Sequence, residues 1–218
     1  MNIKQYITDN FNGYNISIPA FYQWDIGLRF SLSPSELYQF KGEFNYSYNE
    51  EYFNVVSKRA TELFNFAMDS EDEILIVLQS PCPNKERIRK FNYLFKQIEH
   101  LDYSKIKYKT LKGLYNPNLF CHTYKRAIIA TKVKNVNIQN IVEAISNHDL
   151  PDRKPQIYGE VFFVNLTKHI ILNMYDDRGL DIISTRKETL SNLYKQHNDW
   201  ILDYDRKKID SIFKQKSG

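Results

Sequence analysis

Three aspartates, Asp176, Asp177 and Asp181, flank one tight turn in the string MYDDRGLD, and three more, Asp199, Asp203 and Asp205, surround Trp200 and Tyr204 in HNDWILDYDR. Paired carboxylates could hold a divalent cation through oxygen ligands or share acid and base work. A metal-assisted hydrolase or nuclease built on Asp176, Asp177, Asp181 and Asp203 is therefore one reading. The competing reading is structural. Asp is common at turns and helix caps, so Asp176 would cap its turn, Asp205 would cap a helix, and Arg178 and Arg206 would supply ion pairs. Nothing in the spacing fixes these carboxylates within one ligand's reach, which favours the structural reading.

The other chemistry-bearing residue types form no recognisable motif. His100, His122, His148, His169 and His197 are scattered, with no pair at i, i+4 and no G-x-S-x-G elbow to mark a nucleophile. Cys82 and Cys121 are far apart and have no CxxC or HxxxH spacing near them, so no zinc site is expected. Neither a P-loop nor a G-x-G-x-x-G occurs, and with 7 Gly in the chain a backbone phosphate cradle has little to be built from. No cofactor and no metal are expected.

Charge is the second candidate. The formal net charge of the 218 residues is +4, but the segment from Lys85 to Lys134 holds 13 Lys/Arg against Glu86, Glu99 and Asp102, a local +10. The rest of the chain is at −6. A basic middle inside a slightly acidic protein suits an acidic partner. Arg87, Arg89, Lys90, Lys105, Lys107, Lys109, Tyr115 and Arg126 are the candidate contact residues. Aromatics are interleaved with these bases and could stack on nucleobases, so a nucleic-acid partner is a further alternative. A solvated lysine face accounts for the same residues without any partner.

These residues need elements to position them. The stretch Tyr158–Ile183 carries three apolar runs rich in Val, Ile, Phe and Tyr, broken at Thr167-Lys168 and at Asp176-Asp177-Arg178-Gly179. It predicts a three-stranded antiparallel meander in the middle of a sheet. Upstream, the alternation of Leu28, Phe30 and Leu32 predicts a half-exposed strand, and the unbroken run Ile74–Leu78 a central one. Lys105–Leu111 alternates as KIKYKTL, which predicts an exposed sheet edge, and Tyr124–Val133 reads as another strand. Helices are predicted over Ile3–Phe11, from an Asn49 cap through Ala67, from an Asn84 cap to Ile98, from an Asn137 cap through Ile145, from a Thr185-x-x-Glu188 capping box, and from an Asp205 cap. Residues 33–49 read as a long loop, and Asn116-Pro117-Asn118 as a turn. The sum is a single α+β domain: a mainly antiparallel sheet with a C-terminal meander, helices covering one face, and residues 1–25 leading into a core from 26 to 213.

Composition adds exclusions. A hydrophobic content of 42% with 16 Tyr and 14 Phe argues against disorder. The apolar runs fall short of a membrane span, and the first residues lack a signal peptide's apolar segment, so a cytoplasmic protein without a membrane partner is expected.

Three C-terminal strings, Tyr158-Gly-Glu-Val-Phe-Phe-Val-Asn, Met174-Tyr-Asp-Asp-Arg-Gly-Leu-Asp and Asn198-Asp-Trp-Ile-Leu-Asp-Tyr-Asp-Arg, with Gly27-Leu-Arg-Phe and the Tyr52–Ala60 helix before them, resemble a bacterial domain-of-unknown-function family numbered 3885, common in Bacillus-type organisms. The resemblance runs from about Ile26 to Phe213. It implies no assigned chemistry and no catalytic residues. The meander is also loosely similar to immunity proteins of bacterial toxin systems, a likeness of fold alone. The expectation is a non-enzymatic protein-binding module, of which an immunity or toxin-inhibitor protein is one form. The carboxylate-dependent enzyme and the nucleic-acid binder stand as alternatives.

Overall fold

A computed structural model describes residues 2–42, 45–82, 88, 92–115 and 123–214. Its centre is a seven-stranded sheet in which every neighbouring pair is antiparallel, in the order β1-β9-β8-β7-β4-β6-β5. The strands are β1 Gly27–Ser31, β4 Glu73–Pro81, β5 Lys107–Lys112, β6 Thr123–Lys132, β7 Glu160–Asn165, β8 Ile170–Met174 and β9 Gly179–Ser184. The α+β class and the C-terminal meander, β7-β8-β9, are as expected. So are the central place of β4, whose residues Ile74–Leu78 are all buried, and the edge position of β5.

Residues 33–49 are not all loop: β2 Phe40–Gly42 and β3 Asn45–Tyr48 form a small separate hairpin. Its aromatic alternation is too short to show a sustained period. Phe40 stacks on Tyr48, and Tyr48 meets Phe53 edge-on.

The helices cover both faces of the sheet rather than one. On the first face lie α2 Glu50–Ala67, α4 Ile138–Ser146, α5 Lys187–Gln196 and α6 Asp203–Phe213, with the short α3 Tyr93–Lys96. The second face is covered by α1 Ile3–Asn10 and the segment that follows it. Ile3, Tyr6, Ile7, Phe11, Tyr14 and Ile16 pack there on Leu75, Val77, Ile128, Phe162, Val164, Ile171 and Ile183. Their helical spacing was legible, but which face of which sheet they would meet was not.

Local chemistry explains most helix starts. Asn49 Oδ1 accepts the Glu51 N–H and Asn137 Oδ1 that of Asn140, so both caps are as expected. The other two differ. Helix α5 begins after Arg186 with no side-chain cap, and Ser184 Oγ accepts the Arg186 N–H in place of the expected Thr185 box. Helix α6 begins at Asp203, so Asp205 sits inside its first turn with its carboxylate turned to the protein interior. The Asn84 cap and the Asn116-Pro117-Asn118 turn lie outside the described residues.

Candidate functional site

Two places on the fold draw together residues that could act on something else: the β5 edge and one end of the second sheet face.

Lys105 stands in the tight turn before β5, and Lys107 and Lys109 project from β5 beside Ile128 and Arg126 of β6. All three lysines are exposed. Tyr108, on the opposite face, is 49% exposed and Tyr103 42%. Lys125 donates to Thr110 Oγ1 and Lys105 pairs with Asp102, contacts at the surface that are worth little. Arg87, Arg89 and Lys90 lie outside the described residues.

Arg126 and Tyr115 do not belong to that surface. Arg126 is 8% exposed. Its Nε donates to Gln79 Oε1 at 2.5 Å and its Nη2 to the Ile16 carbonyl at 2.9 Å. Burial lowers its pKa to about 10. Tyr115 donates its hydroxyl to Glu160 Oε2 at 2.6 Å, accepts the Ile18 N–H at 2.9 Å and packs against Tyr124. Both are internal fastenings between the sheet and the segment that follows α1. A strand's alternation gives a side chain's face, not whether that face is covered.

The second face changes polarity in three cross-strand rows. One row, Ala130-Leu75-Val164-Ile171-Ile183-Gly27, is largely apolar and lies toward α1. The next runs Ile128-Val77-Phe162 and then turns polar at Asn173, Asp181 and Arg29. The third is polar across Lys109, Arg126, Gln79 and Glu160. Gln79 Nε2 donates to Glu160 Oε2 at 2.8 Å, and burial raises the Glu160 pKa despite the bonds from Tyr115 and Gln79.

Asp181 is fully buried. Its Oδ2 accepts the Phe21 N–H at 3.1 Å, its Oδ1 lies 3.4 Å from Arg29 Nε, and burial pushes its pKa up to about 6. Arg29 sits between the rings of Tyr22 and Tyr175, at 5.0 and 5.2 Å, with Asp205 at 3.6 Å. Tyr22 donates its hydroxyl to Asp205. This network pins the one-turn helix Ala20–Gln23 to β1, β9 and α6. Beside it opens a cleft of about 840 Å³, lined by Arg29, Asn173, Tyr175, Tyr158, Glu160 and Pro19 among others.

The aspartates of the alternative acidic site are not gathered. Asp176 Oδ1 accepts the Arg178 N–H at 2.8 Å and its other oxygen pairs with the Arg178 guanidinium, so it caps its own turn. Asp177 turns the other way and accepts Tyr52 Oη and Gln39 Nε2, each at 2.6 Å. Asp203 is 93% exposed and pairs with Arg206 within α6. Asp181 is held under Phe21. Among the described residues no group of three His, Cys, Asp or Glu side chains could hold a metal ion.

Sequence reasoning missed Gln79, Arg29, Asn173, Glu160 and Tyr175 as a group. The signal was present as one polar residue interrupting an apolar strand: Gln79 after ILIVL, Glu160 before VFFV, Asn173 inside IILNM and Asp181 inside LDII. Only the register shows that these interruptions lie side by side.

Among the described residues no helix is long and apolar enough to cross a membrane. A family model, Domain of unknown function (DUF3885), matches residues 3–205. The Uncharacterized protein YnaE of Bacillus subtilis (strain 168) is 29% identical over 217 residues, an alignment covering 94% of this chain and 99% of that protein. No solved structure matches. A match that takes in α1, the whole seven-stranded sheet and the start of α6 covers both faces and both candidate places, and the chain belongs to the bacterial DUF3885 family.

Proposed function

We propose that this protein works by binding another protein that presents an acidic surface, with Lys105, Lys107 and Lys109 of the β5 edge as the contact residues. The observation that carries this reading is the exposure of the edge. From Lys107 to Thr110 every residue of β5 is exposed on both faces of the sheet, and two tyrosines stand half-open beside the lysines. An outer strand presents backbone donors and acceptors, and lysines along it repel a basic or identical edge while attracting an acidic one. Tyrosine adds contact area at low entropic cost. Neutralisation of a toxin is the narrower form of the reading, and it requires the partner's activity to fall on binding.

The test compares the wild-type protein with a K105E/K107E/K109E variant as baits in a Bacillus lysate, followed by titration of the captured protein. A stoichiometric partner that weakens with added salt, and about tenfold or more with the variant, is the expected result. A partner held equally by both baits overturns the proposal. So does a gel shift of nucleic acid at low salt that the variant abolishes.

A further inference from the structure

We propose a second, separate site: the cleft at the polar end of the second sheet face binds a small uncharged molecule through an amide-like edge, an N–H donor beside a carbonyl acceptor, carried on a planar ring. At about 840 Å³ the cleft falls in the range of small-ligand pockets, roughly 300–1,000 Å³.

The acceptor that calls for an N–H is Asn173 Oδ1. Asn173 is fully buried and lines the cleft. Its Nδ2 is committed to the Val161 carbonyl at 2.8 Å, while Oδ1 has no partner among the described residues. An unpaired buried acceptor is costly, and a ligand donor would recover that cost.

The donor that calls for a carbonyl is Arg29. Its hydrogen bond from Nε to Tyr175 Oη is long, at 3.4 Å, and its carboxylate neighbours Asp181 and Asp205 stand at 3.4 and 3.6 Å. Its Nη1 faces Asp205, and its side chain keeps 15% exposure beside the cleft. Asn173, Asp181 and Arg29 are consecutive cross-strand partners on β8, β9 and β1, so acceptor and donor sit two strands apart on one face.

Charge and shape narrow the class. The lining holds Arg29 and Arg178 against Asp149, Glu160 and Asp176, and Arg178 is already paired with Asp176. A site with more carboxylates than guanidiniums gives an anion no advantage. Tyr124, Tyr158 and Tyr175 offer aromatic surface to a flat ring. Gly159 closes one wall at φ +117°, with no room for a side chain: a Cβ there would come within 2.2 Å of the Gln79 carbonyl oxygen.

The experiment is ligand-observed NMR and calorimetric titration of the full chain with uridine, nicotinamide and benzamide, each of which carries an N–H beside a carbonyl, and with benzoate as a flat anionic control. At least one neutral probe should bind and weaken about tenfold or more in both Asn173→Leu and Tyr158→Ala. It should be unchanged in the K105E/K107E/K109E variant. Tyr158 is 60% exposed, so its variant keeps the test informative if loss of the Asn173 amide disturbs folding. The proposal is overturned if no neutral probe binds up to roughly 10 mM, if benzoate binds as well as the best of them, or if Tyr158→Ala leaves binding unchanged.

Discussion

Arg126 and Glu160 share one intermediary: Gln79 accepts from the Arg126 guanidinium at 2.5 Å and donates to the Glu160 carboxylate at 2.8 Å. The three are cross-strand neighbours on β6, β4 and β7. An amide suits the place because it can accept from a cation on one side and donate to an anion on the other. Tyr115 and the Ile16 carbonyl complete the set, so the chain's beginning is tied to the polar end of the sheet.

Gln79→Leu keeps the approximate volume and removes both bonds. It leaves the Arg126 and Glu160 side chains short of a partner in a buried setting, which is expected to cost about 3 kcal/mol. Urea denaturation monitored by fluorescence measures it. A loss under about 0.5 kcal/mol would show that the row contributes little to stability.

Asp181 gives a pH signature of the less usual sign. Its folded pKa of about 6 lies above the ordinary 3.8, so the folded state binds the proton more tightly than the unfolded chain. The stabilisation from protonated Asp181 is fully present below the ordinary value and is lost as pH rises through the folded one. The loss is of order 3 kcal/mol at most. Asp181→Asn cannot titrate, so the stability of wild type relative to this variant should fall between about pH 4 and pH 6. Chemical denaturation across that interval checks it, and a flat difference would contradict the assignment.

Phe11 tests whether α1 belongs to the core. The side chain is fully buried and packs against Trp24 with ring centroids 5.3 Å apart. Phe11→Ala should cost about 3–5 kcal/mol, the range of a large core aromatic rather than of a surface appendage. Its denaturation midpoint reports the outcome, and a cost below about 1 kcal/mol would mean that the helix is only loosely laid on the sheet.

Much of this architecture was legible from residue order. Alternation marked β1 and β5, the unbroken Ile74–Leu78 run marked a central strand, and asparagine caps marked α2 and α4. What was not legible depends on register. Asn173 and Asp181 lie eight residues apart and Arg29 144 residues before Asn173, and of the three only Asp181 drew attention, as an aspartate flanking a turn. Pairing of β8, β9 and β1 makes them one row. Arg126 looked like a member of the basic surface for the same reason: its row-mate Gln79 and its cover, the Ile16 carbonyl, come from elsewhere. Asp205 misled because a cap signature fixes a helix start only when no tertiary partner competes. Asp205 is taken by Tyr22 and Arg29.

The fastening of residues 14–24 to the far end of the chain bears on how the molecule is made. Phe21 meets Asp181 across 160 positions, Trp24 meets Ser184 across 160, and Tyr22 meets Asp205 across 183. Residues 21–24 thus leave the ribosome long before the residues they are fastened to. Until β9 is synthesised, the apolar side of α1 has no complete surface to settle on. Contacts this remote slow folding and prolong the exposure of nascent aromatic side chains.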